Sequence, residues 1–438
     1  MSKVIKRVIF RQLVVYLDSN NLVPKYQSGF RKHHSTESAT LRVLSDIYSA
    51  IDNGRIALLA LLDVSAAFDT VDHDILMHRL SESFGIVGQA HDWLSSFVTR
   101  RTYSVRFGGT TTSPWKVRSG IPQGSILGPL LYILYTADVA ALVESLGFKV
   151  HLYADDTQLY DFCSSSEAEA LAIRVNTAIE AVSSWMSSNR LCLNLDKTKY
   201  LWFGTRQQLG KRDTVALSNI SAAMVSDTVT RNLGLLLDQE LSMGDHITKL
   251  SQVCFFHLRR IRVVRHSLTR NALLTLVHAF VCSRLDFCNS AMFGVHSYLL
   301  DRLQSILNAA ARLILQIHKF SSISSAIRDE LHWLPVQSRI VFKQCLLVRS
   351  CLAGSAPSYL AELCIPVSSV TGRRQNLRSA SRGTLVVPRV RTERYGRRGF
   401  SVSGPHLWNS LPPRIRSLIE KPDLFKRELK HYLMQQQS

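Results

Sequence analysis

The chain has 438 residues, with 53 Lys and Arg against 33 Asp and Glu, a net charge of +20 and a pI near 9.9. At 46% apolar and 20% charged residues it is globular rather than disordered, and its length allows roughly two to four domains. The longest apolar stretch, 126–135, is too short to cross a bilayer. The basic excess favours a polyanionic partner, which on charge alone leaves nucleic acid and an anionic membrane both open. Eight cysteines without a Cys-x-x-Cys pair exclude a zinc ribbon or a redox motif and read as reduced thiols of an intracellular protein. Lys3, Lys6, Arg7 and Arg11 interrupt any early apolar run, so no signal peptide is expected.

In chain order, residues 1–25 predict a short helix, with Val4, Val8, Leu13 and Leu17 loosely spaced and a stop near Asn20-Asn21. YQSGFR follows, where Gly29 makes a turn that presents Arg31 and Lys32. Thr36 to Asp52 is an amphipathic helix by its stripe of Leu41, Leu44, Ile47, Tyr48 and Ile51, closed by Asn53-Gly54. Asp63 then stands directly after seven apolar residues, Ile56 to Leu62, where a buried strand meets a site and a charge needs a partner. Phe68 lies five residues further on. Asp69, Asp72 and Asp74 are assigned to capping the next helix, Ile75 to Ser83. Tyr103 to Arg118 alternates around Gly108-Gly109 as a hairpin. SGIPQGSILGPLLY turns from loop into an apolar helix over 125–143; Gly124 lets backbone approach a ligand and Gln123 offers an amide, although a plain helix entry fits as well.

VHLYADDTQLY, 150–160, predicts two strands with Asp155 and Asp156 at the tip of a tight hairpin. An Asp pair in a turn is common. The third carboxylate changes the odds: Asp63 brought beside the hairpin would make a cage of hard oxygens suited to Mg²⁺. Ser166-Glu167-Ala168-Glu169 has capping-box spacing, opening a helix with Leu171, Val175, Ile179, Val182 and Met186 inward. LCLNLDKTKYLWFG predicts a strand with Lys197 in its loop and Lys199 beside it, and 214–238 predicts further short strands. From about Asp245 the pattern is helical, with Arg-edged apolar faces; His257, His266 and His278 are too dispersed for a metal site. Residues 325–365 predict two more helices, and Pro422 to Met434 a last one. Between them, 371–400 holds nine arginines against the single acid Glu393, with Tyr395 and Phe400 interleaved. Such a stretch either tracks phosphates and stacks on bases or is a solvated basic linker.

The blocks LLDVSAAFDTVDH, SGIPQGSILGPLLY, YADDTQLY, LNLDKTKYLWFG and NLGLLLDQELS stand in the order found in reverse transcriptases of non-LTR (LINE-type) retrotransposons. YQSGFRKHHSTESA upstream and RDELHWLPVQSRI and FSVSGPHLWNSLPPRIR downstream also resemble that family, so the likeness runs from about Phe10 to nearly the C-terminus. The resemblance implies an α+β right-hand polymerase: partial fingers over 1–55, a palm with a primer-gripping hairpin over 56–244, a helical thumb over 245–320, and a basic helical extension over 321–438. It implies an RNA-directed DNA polymerase acting by two-metal nucleotidyl transfer to a primer 3′-oxygen. Two Mg²⁺, or Mn²⁺ in their place, would sit on Asp63, Asp155, Asp156 and the Val64 carbonyl.

By the same resemblance Phe68 excludes a 2′-hydroxyl, where the plain alternative is a core Phe, and Gln123, Gly124 and Arg31 contact the incoming nucleotide. Lys197 is a candidate proton donor to the departing pyrophosphate, with Lys199 as an adjacent rival and a solvated loop lysine as the plain alternative. Arg373, Arg374, Arg378, Arg397 and Arg398 are the expected nucleic-acid contacts. The expected partners are an RNA template, a DNA primer, the RNA–DNA duplex and deoxynucleoside triphosphates, with no membrane. The expected setting is a ribonucleoprotein of nucleus and cytoplasm. Relatives carry an arginine-proline-isoleucine-serine segment just before the counterpart of Val4, and an endonuclease further upstream. The chain starts after both, so weakened extension is expected, and nicking would have to come from another domain or chain. An RNA-templated RNA polymerase is disfavoured by Phe68, and a catalytically weak or inactive nucleic-acid-binding remnant by the intact carboxylates.

Overall fold

The apolar run Ile56–Leu62 lies within strand β1 (Ile56–Ser65) of the computed structural model, which describes residues 2–221, 223–318, 320–370 and 383–436. Ile56, Ala57, Leu58, Leu59 and Ala60 are fully buried, as a strand covered on both faces requires. Before it come helices α1 (Ser2–Ser19) and α2 (Thr36–Asp52). After it come α3 (His73–Glu82), α4 (Gly88–Val98) and a hairpin of four two-residue strands, β2 (Thr102–Tyr103), β3 (Arg106–Phe107), β4 (Thr110–Thr111) and β5 (Trp115–Lys116). Then follow α5 (Gly128–Tyr135), α6 (Asp138–Ser145), β6 (Lys149–Tyr153), β7 (Asp156–Cys163), α7 (Ala168–Ser188) and β8 (Cys192–Phe203). Three short helices, α8 (Arg206–Leu209), α9 (Thr214–Ile220) and α10 (Ala223–Ser226), lead to β9 (Val229–Asn232) and β10 (Leu235–Asp238). The remainder is helical: α11 (Gly244–Val264), α12 (Arg270–Val277), α13 (Ser283–Asp286), α14 (Ser297–Leu315), α15 (Ser324–Asp329) and α16 (Val336–Leu352), then α17 (Ser358–Ala361), α18 (Phe400–Ser410), α19 (Pro413–Arg416) and α20 (Pro422–Gln435). No helix of the described residues is long and apolar enough to cross a membrane.

The chain divides into two compact units, one of Met1–Ser35, Leu58–Tyr200 and Asp213–Ser226, the other of Thr36–Ala57, Leu201–Arg212 and Asp227–Ser438. The first is built on a four-stranded sheet in the order β6-β7-β1-β8. β6 and β7 pair antiparallel, with Tyr153 opposite Asp156, so a two-residue turn of Ala154 and Asp155 closes the hairpin. Helix α7 buries Leu171, Val175, Ile179, Val182 and Met186 at helical spacing, as its sequence predicts.

Several local expectations are corrected. The capping box forms between Ser164 and Glu167, not Ser166 and Glu169: extended Ser164 donates to Glu167 from both its N–H (3.0 Å) and its Oγ (2.7 Å). The helix foreseen over 125–143 breaks at Thr136. The Thr136 hydroxyl bonds back to the Tyr132 carbonyl (3.0 Å), and Arg79 takes the Tyr135 carbonyl that a continuing helix would use. Lys197 lies within the continuous strand β8 rather than in a loop. Residues 214–220 and 223–226 are helical instead of extended, and Asp213 caps α9 through the N–H groups of Val215 and Ala216, each at 3.0 Å.

In the second unit α11 and α14 pack together, and α16 packs against α14, α18 and α20. Leu299, Leu303, Ile306, Leu307, Ala310 and Ile314 form the buried stripe of α14. Helix α2, grouped with residues 1–55 in the sequence reading, belongs by its packing to this unit. Its Asp52 accepts the N–H of Arg391 and of Thr392, and Glu37 accepts from the Ser290 backbone (3.2 Å) and hydroxyl (2.5 Å).

Arg373, Arg374 and Arg378 lie outside the described residues. Arg397 is exposed and paired with Glu393 at 2.8 Å. The expected nucleic-acid contact at Arg398 is corrected, since that side chain is only 6% exposed. Its guanidinium donates to the carbonyls of Leu241 (2.7 Å) and Phe293 (3.2 Å) and lies over the Tyr48 ring. The arginine is therefore an internal brace. Arg398→Ala is expected to cost at least about 1.5–3 kcal/mol, the range for bonds from a charged donor, without changing the salt dependence of RNA binding. Thermal melting together with an RNA titration at several salt concentrations checks both halves.

Candidate active site

Two features of the fold bring the acidic residues together. β1 carries Asp63 at the end of its buried run, and β7, next to β1 in the sheet, begins at Asp156 beside the hairpin turn. Burial pushes the Asp156 carboxyl up to about 6, with the charges of Asp155 and then Asp63 adding to the shift, although the residue itself has an open edge to solvent. Three carboxylates within electrostatic reach carry a repulsion that a divalent cation would relieve. One cation already leans on them: Lys197 Nζ is 3.3 Å from Asp63 Oδ2. Among the described residues no three His, Cys, Asp or Glu side chains are gathered closely enough to ligate one ion. The fit to a metal is thus one of donor chemistry, with Asp155 and Asp63 within electrostatic reach of Asp156. Val64, next to Asp63, is buried at 6% exposure.

Phe68 follows on the same connection. It is half-buried, and its ring meets Tyr132 at a centroid distance of 4.8 Å. Burial raises the Tyr132 hydroxyl, and Asp155 and Asp156 add to that shift, so Phe68 and the carboxylates border one region.

The SGIPQG block closes onto this connection through backbone bonds. Gly120 N–H donates to Val71 and Ile121 N–H to Phe68, both at 2.8 Å. Gly120 has φ +87°, and a Cβ there would meet the Asp69 carbonyl at 2.8 Å, so only glycine fits. Of the three acids assigned to capping, Asp72 does cap α3, accepting from the N–H of Asp74 and Ile75, and Asp74 sits in the first turn. Asp69 does not cap. Its carboxylate accepts from Gln123 Nε2 at 3.0 and 3.2 Å, fixing that amide. Gln123 and Gly124 are exposed, and Gly124 has open space where a Cβ would stand.

The YQSGFR segment does something the sequence did not suggest. The Gln27 amide, 1% exposed, clasps the turn of the acidic hairpin. Its Oε1 accepts from Ala154 N–H (3.0 Å) and Gly29 N–H (2.8 Å), and its Nε2 donates to the Ala154 carbonyl (3.3 Å). A Cβ on Gly29 would lie 2.2 Å from the Ala154 nitrogen, so the segment passes under the turn only as glycine. Ser28 N–H bonds to the Leu152 carbonyl at 2.8 Å, and its hydroxyl meets His151 Nε2 at 2.9 Å. Arg31, by contrast, holds its own segment, donating to the carbonyls of Pro24 (2.9 Å) and Gln27 (3.3 Å) and pairing with Asp18. The one sequence signal for this brace was a Gln two residues before a Gly.

Gln27→Ala strands the buried N–H of Gly29 and the part-buried N–H of Ala154, which lies in the turn beside Asp155. It should cost about 1–3 kcal/mol in stability and lower kcat for primer extension while the affinity for primer–template is kept. An unchanged kcat in a folded variant would reduce Gln27 to a packing residue.

Residues 1–231 match the family model described as reverse transcriptase (RNA-dependent DNA polymerase). The chain is 28% identical over 257 residues to the RNA-directed DNA polymerase from mobile element jockey of Drosophila melanogaster, covering 58% of this chain and 27% of that protein. It is 27% identical over 344 residues to the probable RNA-directed DNA polymerase from transposon X-element of the same organism, covering 75% of this chain and 36% of that one. The chain thus spans about a third of the length of these relatives. Among solved structures, telomerase from Candida tropicalis in complex with a TWJ fragment of telomeric RNA aligns with a TM-score of 0.44 and 11% identity, over 98% of this chain and 56% of that one. With a match over more than half its length that contains all three carboxylates, the chain belongs to the reverse transcriptase (RNA-dependent DNA polymerase) family.

Proposed function

We propose that this chain synthesises DNA on an RNA template, adding deoxynucleoside triphosphates to a primer 3′-hydroxyl at the site framed by Asp63, Asp155 and Asp156. The observation that carries the reading is the raised Asp156 carboxyl, to which burial and then the charges of Asp155 and Asp63 contribute, at the meeting of a buried strand and a tight hairpin. In right-hand terms, residues 1–55 would act as partial fingers, although their helix α2 packs in the second compact unit, 56–244 as the palm, 245–320 as the thumb and 321–438 as a basic extension. Two Mg²⁺, held by the three carboxylates and the Val64 carbonyl, would supply Lewis-acid activation of the attacking oxygen and neutralise charge on the triphosphate.

The chain's own residues do the rest. Phe68, backed by Tyr132, stands where a 2′-hydroxyl would have to fit. Asp69 holds the Gln123 amide by its nitrogen, leaving Oε1 to accept from a nucleotide beside the open backbone of Gly124. Lys197, paired with Asp63, brings a cation and a proton to the region where the pyrophosphate departs. Gln27 keeps the hairpin turn in place.

The test is extension of a DNA primer annealed to homopolymer RNA, with and without EDTA. Chelator-sensitive synthesis on RNA supports the proposal. Binding of primer–template without any extension would leave a nucleic-acid-binding protein and refute it.

A further inference from the structure

The hairpin of β2 to β5 takes no part in the site described above, yet its composition is unlike that of an ordinary solvated loop. Tyr103 is 56% exposed, Val105 56%, Trp115 61% and Phe107 88%. Tyr103 stands directly opposite Trp115 across the ladder, so the two rings share one face, and Phe107 adjoins the Gly108-Gly109 turn at the tip. Around them lie Arg100, Arg101, Arg106, Lys116 and Arg118, with no Asp or Glu anywhere from Thr99 to Ser119. Nothing in the described residues covers these aromatic side chains. Exposed rings interleaved with unopposed cations fit a polymer that offers flat apolar faces along a chain of negative charges.

The base of the hairpin is anchored next to the site. Ser119 Oγ donates to the Asp69 carbonyl at 3.1 Å, and the bonds of Gly120 and Ile121 tie the returning strand to Val71 and Phe68. A strand lying on this platform leads directly to the connection that carries Phe68.

We propose that the 101–118 hairpin is a stacking platform for single-stranded nucleic acid, with Tyr103, Phe107 and Trp115 against bases and Arg106 and Lys116 on phosphates. The proposal extends the polymerase reading, in which the occupant is the unpaired template ahead of the site. Its binding test needs neither nucleotides nor metal, so the two readings fail separately.

The experiment measures anisotropy of labelled oligouridylate, the matching DNA oligomer and an RNA duplex with the full chain, for the parent and a Tyr103→Ala, Phe107→Ala, Trp115→Ala triple variant. These side chains are exposed, so the melting temperature should not move. Loss of one stacked base weakens binding by roughly 5- to 150-fold, so single-strand affinity should fall by at least that much, with duplex affinity nearly unchanged. Arg106→Gln with Lys116→Gln should instead flatten the slope of log affinity against log salt by roughly 0.7 per lost phosphate contact. Equal performance of the RNA and DNA oligomers marks general single-strand binding, and a preference for RNA marks a template platform; both support the proposal. Unchanged single-strand affinity in the triple variant overturns it, as does an equal loss on duplex. Loss of binding to anionic vesicles without loss of single-strand binding would assign the hairpin to a membrane surface and also overturn it. A parent that extends primers while the triple variant binds normally removes the platform and leaves the polymerase reading standing.

Discussion

Asp155→Asn is expected to lower primer extension by at least about 10²-fold, the scale of removing one preorganised group that stabilises developing charge, while RNA binding stays as in the parent. The substitution keeps the shape of the side chain and the two-residue turn but deletes one of three mutually repelling charges. That deletion has a second consequence, readable without nucleotides. Burial and the charges of Asp155 and Asp63 raise the Asp156 carboxyl from 3.8 to about 6 in the folded chain. A carboxyl whose folded-state pKa is raised favours folding below its unfolded value and loses that contribution as pH rises through the folded one. In EDTA the parent should therefore lose stability between about pH 4 and pH 6–7, relative to a protein without this cluster. Asp155→Asn should melt higher than the parent above pH 6, with the gap closing below pH 4. Melting curves across that range check the sign. A variant that extends at the parental rate, or melts lower than the parent at pH 8 in EDTA, contradicts the arrangement of charges described here.

Phe68→Val is expected to raise ribonucleotide incorporation relative to deoxynucleotide by about 10- to 200-fold, the range that one small group against a pocket wall commands. The ring is half-buried and leans on Tyr132 at 4.8 Å, a neighbour that senses Asp155 and Asp156. Valine is smaller and vacates the outer part of the ring, which on the proposed sugar-gate role would admit a 2′-hydroxyl. Because Phe68 is not fully enclosed, the stability cost should stay below the roughly 3–5 kcal/mol of a buried Phe→Ala truncation. Single-nucleotide insertion with matched deoxy and ribo substrates gives the ratio. A ratio equal to the parent's in an active, folded variant would return Phe68 to simple packing.

What could be read from the sequence follows the range of the interactions involved. Helix α2 is found from Thr36 to Asp52 as its 3.6-residue stripe predicts, because that pattern is local. The seven apolar residues before Asp63 and the alternation around Asp155 and Asp156 likewise specify β1 and the β6–β7 turn from within a few residues. The misreadings involve partners distant in sequence or rules in local competition. Asp69 looked like a cap because its acceptor role is to Gln123, 54 residues away. Gln27 had no periodic signature, since the turn residue it clasps, Ala154, lies 127 residues on. Arg398 looked solvated amid other arginines, yet the carbonyls that hold it belong to Leu241 and Phe293. Residues 214–220 differ for another reason: the stretch is helical because the Asp213 carboxylate caps its first turn, a local signal that competes with the extended reading.

The most direct measurement combines two readouts on the same preparations of the parent and of Asp63→Asn: Mn²⁺ binding by electron paramagnetic resonance, and Mn²⁺-supported extension of a DNA primer on RNA. If Asp63, Asp155 and Asp156 form the catalytic centre, the parent binds Mn²⁺ and extends the primer, and Asp63→Asn loses both while still folding and binding primer–template. Extension that survives in Asp63→Asn at the parental rate would contradict the central claim.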